Sequence, residues 1–252
     1  MKIILISIIL SIQIVYSQVD TESLRKIDSE VGLNQNLLTN IGLKKGNTEY
    51  FALSLSYRAD YVTDSNHIYG VGNLSYQDNK NGVFQRAGFI HLRYLEKWDE
   101  YFSKEAYLQK QFDYFQRLKD RNLIGGGIRF SFDIKDSVKR LFHIYLGSGI
   151  MYENELLNIK DKYSTNLIRS SSYFNISWIP NNKFNLSSVL YYQWDIFNYK
   201  DYRFLNISSI NIKFNKMLSV VLSFNYRYDN QPPIRELKKF DYEFKNGVKL
   251  EF

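Results

Sequence analysis

Cysteine is absent from the 252 residues, and proline occurs only three times. Without thiols there is no disulfide framework, no thiolate metal site, no cysteine nucleophile and no lipid anchored on an N-terminal Cys. Histidine is equally scarce, limited to His67, His91 and His143. Beyond residue 17 no apolar run approaches the ~18 residues that a spanning helix requires. The mean hydropathy of −0.36 likewise excludes a helical membrane protein. It leaves a membrane barrel open, because barrel strands dilute every lipid-facing residue with a lumenal one.

Aromatic residues are abundant: 17% of the chain, with 21 Tyr and 18 Phe, more than a soluble core needs. Tyr in such numbers suits the interfacial girdles of a membrane protein, where one end of the ring is dry and the other wet. The formal charge is +7. A basic soluble protein would invite a nucleic-acid reading, but the positive residues are spread through strands and turns, so no nucleic-acid partner is expected. Basic loops facing an anionic membrane surface explain the balance better.

The most regular stretch is the last thirteen residues. Phe240, Tyr242, Phe244, Val248, Leu250 and Phe252 alternate with Asp241, Glu243, Lys245, Gly247, Lys249 and Glu251, and only Asn246 breaks the apolar series. A period of two with one greasy and one charged face is a strand. An aromatic C-terminus on such a strand suits a barrel with lipid outside and a hydrated lumen within.

Met1 to Ser17 reads as a secretory signal peptide. Lys2 supplies the positive start, Ile3 to Leu10 the apolar run and Val15-Tyr16-Ser17 the cleavage site. An uncleaved membrane helix is the alternative. Residues 18–32 read as a periplasmic lead-in, and residues 33–252 as the barrel domain. Twelve alternating segments follow, at 34–45, 49–62, 66–78, 84–97, 103–116, 121–134, 140–155, 166–179, 183–198, 201–215, 217–230 and 238–252. Their spacing of about eighteen residues fits ~9–11 membrane residues plus a connection. The expected fold is therefore all-β: a closed antiparallel transmembrane barrel of about 12 strands.

Segment two shows the two faces well. Phe51, Leu53, Leu55, Tyr57, Ala59 and Tyr61 point out, and Ser54, Ser56, Arg58 and Asp60 point in. Segments three, four, five and ten alternate less cleanly. Pro180, Pro232 and Pro233 are all read between segments, since a ladder cannot spare their N–H groups. Pro180-Asn181-Asn182 and Phe214-Asn215-Lys216 read as tight periplasmic turns. Trp98 and Trp178 near the same rim read as interfacial anchors. With both termini periplasmic, the outer loops fall near 46–48, 79–83, 117–120, 156–165, 199–200 and 231–237. All are short, which argues against a plugged transporter of large substrates.

The closing residues 246–252, with Gly247, Leu250 and Phe252 at its fixed positions, resemble the signal read by the outer-membrane barrel-assembly machinery. An unpaired final strand with one apolar face can augment another sheet edge. That machinery and outer-membrane lipid are the expected partners. The mature chain also resembles the YdiY-type salt-induced outer-membrane proteins, a family defined as a domain of unknown function. The matching marks are Gly46-Asn47-Thr48, Gly125-Gly126-Gly127, and Tyr228-Asp229 followed by Pro232-Pro233, Lys239, Asp241 and the aromatic terminus. The resemblance implies an outer-membrane barrel and a link to salt stress. It carries no catalytic residues.

No enzymatic constellation emerges. A lipase-like barrel needs Ser, His and an orienting group together on the lipid face. The alternation puts His91 and His143 inside, and His67 in a turn. Gly147-Ser148-Gly149 lacks the spacing of a nucleophile elbow. The triple Gly at 125–127 is followed by no Lys-Ser/Thr pair, so it reads as a strand allowing curvature or close lumenal contact rather than a phosphate loop. No cofactor or metal is expected. Four Asn-x-Ser sequons lie inside strands and read as chance. Arg117, Lys119 and Arg121 on the third loop, or Arg235 and Lys238 on the sixth, are the candidates for binding a surface partner.

The lumen is where function could sit. The expected inward charges are Lys44, Arg58, Asp60, Arg93, Glu105, Asp113, Arg129, Asp133, Arg169, Arg227, Asp241, Glu243 and Lys249. A ring of one sign would favour ion selectivity. Both signs together favour pairing across strands and a filled, narrow barrel. The expectation is a non-enzymatic outer-membrane barrel of limited permeability, serving envelope integrity or salt stress. A small porin-like channel is the alternative, and an outer-membrane lipid-modifying enzyme the more distant one.

Overall fold

The computed structural model describes residues 31–45, 49–79, 82–135, 141–158, 163–232 and 238–251. The signal-peptide stretch, most of the lead-in, Gly46-Asn47-Thr48, Pro233, Arg235 and Phe252 lie outside them. The described residues form twelve strands: β1 (Gly32–Lys44), β2 (Tyr50–Val62), β3 (Asn66–Asn79), β4 (Gly82–Lys97), β5 (Phe102–Asp113), β6 (Leu118–Lys135), β7 (Leu141–Leu157), β8 (Ser164–Asn181), β9 (Phe184–Asp195), β10 (Asn198–Lys213), β11 (Leu218–Asp229) and β12 (Phe240–Glu251). Each pairs with its neighbour in sequence, and β1 closes on β12, giving one antiparallel barrel. No helix among the described residues is long enough to cross a membrane. The crossing is made by strands.

The barrel is inside-out relative to a soluble protein. Leu53, Leu55, Tyr57 and Tyr61 on β2 are exposed, while Ser54, Arg58 and Asp60 between them are buried. The same inversion recurs at Leu92 and Tyr94 around buried Arg93, and at Leu190 and Tyr192 around buried Tyr191. Exposed apolar residues encircle the wall, and only a lipid solvent makes that arrangement favourable. The interior is less uniformly polar than the alternation implies. Leu38, Tyr69, Val71, Leu95 and Val221 form one buried apolar cluster, and Tyr173, Val189, Tyr191, Leu205 and Ile207 another. The lumen is packed like a core over part of its length, not simply hydrated.

Odd strands run from the end carrying the chain termini toward the loop end, and even strands return. Turns at the terminal end are closed by short polar side chains. Asn181 Oδ1 accepts the amides of Lys183 and Phe184, at 2.9 and 3.2 Å, and Asn215 Oδ1 those of Met217 and Leu218, both at 2.8 Å. These are the two turns expected from the sequence, and the mechanism is the side-chain capping that favours Asn there. Pro180 departs from expectation: it lies inside β8, next to its end. The ladder to β9 is irregular between Trp178 and Asn181, so the missing N–H falls at the break.

At the loop end the third connection has the expected length but lies three residues earlier, at 114–117 rather than 117–120. β5 stops at Asp113 and β6 starts at Leu118, with Arg117 in the left-handed region at φ 54°. Asp113 Oδ1 accepts the amides of Phe115 and Gln116 and holds the turn. Arg121, expected on a surface loop, is therefore within β6, with its side chain buried in the lumen.

The closing seam differs from the others. β1 pairs with β12 only from Asn36–Glu251 to Thr39–Val248, whereas it pairs with β2 along its whole length. Just past the paired section, a Cβ on Gly247 would lie 2.1 Å from Asn40 Oδ1. Only glycine admits that side chain at the seam.

Candidate functional site: the charged lumen

The loop-end half of the lumen is occupied by one connected set of charges. Glu153 on β7 stands at its centre. Arg169 Nε donates to its Oε1 at 2.9 Å, and Arg203 Nη1 reaches both its oxygens at 3.1 and 3.0 Å. Arg121 Nε is 3.7 Å from its Oε2. Arg121 also donates to Glu155 Oε1 at 2.6 Å. Arg203 Nε donates to Asp229 Oδ2 at 2.9 Å, and Arg169 grips Asp201 with both Nη groups, at 2.9 and 3.0 Å.

The set continues to the far wall. Arg227 on β11 pairs with Asp229 at 3.3 Å and donates to Gln116 Oε1 at 3.0 Å, and Gln116 donates to Asp113 at 3.2 Å. β11 and the β5–β6 turn face each other across a twelve-strand barrel, so this chain of bonds is a strut through the lumen. Four guanidiniums (Arg121, Arg169, Arg203, Arg227) meet four carboxylates (Glu153, Glu155, Asp201, Asp229). Arg169 is 0% exposed and Glu153 1%, so water does not reach the centre. Burying such charges costs several kcal/mol per ion unless each finds partners. Here the fork geometry of arginine supplies two or three each.

Below this network a second cross-lumen contact joins β8 to β5: Tyr173 Oη donates to Glu105 Oε2 at 2.9 Å. Glycines on β6 and β7 make room for it. A Cβ on Gly147 would lie 2.1 Å from the Tyr173 ring, and one on Gly125 2.5 Å from the Tyr107 ring. Both tyrosines lie flat against the wall where only a hydrogen can stand beneath them. That is the close lumenal contact anticipated for the triple Gly.

Toward the terminal end, Arg58 and Asp60 on β2 form a bidentate pair at 2.7 and 2.6 Å. His67 Nε2 joins Asp60 at 2.7 Å. The turn assignment for His67 is thereby corrected: it is the second residue of β3 and serves the lumenal pair. Lys249 pairs with Glu251 at 2.9 Å, and Glu243 with Lys245 at 2.9 Å. Asp133 bonds His143 Nδ1 at 2.6 Å, but its side chain is 60% exposed at the rim, outside the buried network where it was expected. Asp241 is half-buried opposite Arg227 in the β11–β12 ladder. Arg93 and Arg129 are buried among tyrosines. The side chain of Lys44 is not among the described ones. Gly247 sits at the seam beneath Asn40, and Leu250 pairs across to Leu37 on the outer face.

Beyond the expected lumenal charges, the network includes Arg121, Glu153, Glu155, Asp201, Arg203 and Asp229. Counting alternate residues along β7 from the inward His143 reaches Glu153 and Glu155, and Asp229 lies two residues beyond the inward Arg227, so parity carries a signal for all three. Arg203 carried no such signal, because its inward neighbours Leu205 and Ile207 are apolar. Among the described residues no group of acidic, His or Cys side chains is arranged to hold a metal ion. His91 faces Gln109 at 3.0 Å in the lumen, not a serine on the lipid face.

A closed twelve-strand wall, apolar outside and crossed inside by ion pairs, defines a single-chain transmembrane β-barrel of the outer-membrane type. The chain belongs to the family described as protein of unknown function, DUF481, whose model matches residues 39–252. Comparison with curated proteins returned no match. Among solved structures the chain is similar to the COG4313 outer membrane channel from Pseudomonas putida F1. The TM-score is 0.56 at 8% identity, over 93% of this chain and 99% of that one. It is also similar to the KdgM porin (TM-score 0.43, 10% identity, 87% and 99% covered) and to the NanC porin (0.43, 9%, 87% and 98%). At these identities the likeness is one of fold.

Proposed function

We propose that this chain is a non-enzymatic outer-membrane barrel, closed at rest, that serves envelope integrity rather than solute traffic. The observation that carries the reading is the loop-end network, in which Arg203 meets Glu153 and Arg227 meets Gln116 across the lumen. An open pore needs a continuous wet path. The paired, buried side chains that reach across the lumen support a sealed path. The role under salt stress draws on the family resemblance.

The test uses cells lacking the protein. They should leak periplasmic content and become detergent-sensitive on a salt upshift, and the wild-type chain should restore them. Uptake of small hydrophilic solutes should be the same with and without it. Uptake that falls on deletion, with no integrity defect, would reject the reading in favour of a porin.

A gated channel is the second reading. The closure is made of side chains alone, without an inserted backbone segment among the described residues, and side chains can rearrange without refolding.

A further inference from the structure

Arg93 and Arg129 stand apart from the loop-end network. Both are more than nine-tenths buried, at 7% and 5% exposure. Both approach the ring of Tyr173, at 5.9 and 6.0 Å from Cζ to centroid. Arg93 also faces Tyr107 at 4.9 Å, and Arg129 faces Tyr145 at 4.1 Å. One carboxylate accompanies the two cations. Glu105 Oε2 lies 3.5 Å from Arg93 Nη1 and is already engaged by Tyr173 Oη. Among the described residues Arg129 makes no hydrogen bond or ion pair, and the Nε of each arginine lacks a hydrogen-bond partner.

This is an unbalanced pair of buried charges. Cation–π contacts return less than desolvating an ion costs. Two guanidiniums against one carboxylate leave one positive charge uncompensated. Next to Arg93 is a cavity of about 30 Å³, lined among others by Glu105, Tyr107, Gln109, Tyr173 and Gln193. The bare backbone at Gly125 and Gly147 lets Tyr107 and Tyr173, two of its lining residues, lie flat against the wall. The cavity exceeds the ~10–15 Å³ that a single water needs and is far too small for a sugar or a lipid headgroup.

We infer that this cavity binds a small monovalent anion, of halide size, held by the Arg93 guanidinium and by the positive field of Arg129. The anion completes the charge balance that Glu105 leaves short. It fixes Arg93 and Tyr173 in place, coupling the packing of the lumen to the anion content of the medium. The inference is independent of whether the barrel conducts.

The test is thermal unfolding of the refolded full-length chain in gluconate, with chloride or bromide titrated in at constant ionic strength. The wild-type midpoint should rise and saturate. Glu105→Gln, which makes the site more positive, should saturate at lower halide. Arg129→Met should require several-fold more. The charge-neutral double variant Arg93→Met/Glu105→Gln should lose the response. A wild-type midpoint indifferent to halide, or a double variant that responds like wild type, would overturn the inference. If the double variant does not refold, bromide anomalous scattering from wild-type crystals decides. A peak against Arg93 in the cavity supports the site, and an empty cavity at saturating bromide refutes it.

Discussion

Arg203 Nη1 reaches Glu153 Oε2 at 3.0 Å from three strands away, and the same carboxylate also receives Arg169 and Arg121. Three guanidiniums on one buried carboxylate make Glu153 the hub of the loop-end network.

Replacing Glu153 by Gln removes the shared anion and leaves four guanidiniums against three carboxylates, Glu155, Asp201 and Asp229. Breaking a buried ion cluster on one side costs about 3–5 kcal/mol. The urea midpoint of the refolded protein should fall accordingly. The paired variant Glu153→Gln/Arg203→Met should recover part of the loss, because it restores equal numbers of guanidiniums and carboxylates in the cluster. Equal stability of Glu153→Gln and wild type would show that the cluster contributes nothing.

Gly147→Ala places a methyl group 2.1 Å from the Tyr173 ring. The ring must swing away, breaking its bond to Glu105. An overpacking cost of about 1–3 kcal/mol is expected. Gly42→Ala is the control, since its nearest neighbour would be 3.4 Å away, and it should unfold like wild type. Unfolding curves for the two variants that coincide would contradict the packing described.

At the seam, Gly247→Ala forces Asn40 off its position, and Asn40→Ser/Gly247→Ala should restore part of the folding yield. The restoration is incomplete because the Thr39 carbonyl would still lie 2.9 Å from the new methyl. The readout is the fraction of heat-modifiable, compact protein on a gel after refolding. A Gly247→Ala chain that closes with wild-type yield would show the seam to be less tightly fitted.

Leu55 faces outward near the middle of β2, and Arg58 faces inward a few residues on. Leu55→Arg puts a charge into hydrocarbon, at a cost of about 2–4 kcal/mol near the bilayer midplane. Unfolding from lipid vesicles should report that loss. A loss absent in vesicles would mean that this face does not meet lipid.

The architecture was legible because period-two alternation with one apolar face survives in most strands, as in Leu53-Ser54-Leu55-Ser56 or Leu222-Ser223-Phe224. The turns at Asn181 and Asn215 were legible for a local reason, since each Asn caps its own turn. Legibility failed where the lumen is apolar. Arg203 shares its inward face with Leu205 and Ile207, so both faces of β10 are greasy and parity cannot be read. Arg121 was missed because the β5–β6 turn falls three residues before the charged stretch that suggested it, at 114–117, where Asp113 caps it. Which charges meet was beyond the sequence altogether. The distance between Glu153 and Arg203 depends on barrel width and strand tilt, which alternation does not encode.

The most direct measurement is the current carried by the refolded wild-type chain in a planar bilayer. Insertion should leave the bilayer without steady conductance, and Glu153→Gln should produce openings as the stranded arginines separate. Large, stable wild-type currents from the moment of insertion would contradict a lumen closed by its own ion pairs.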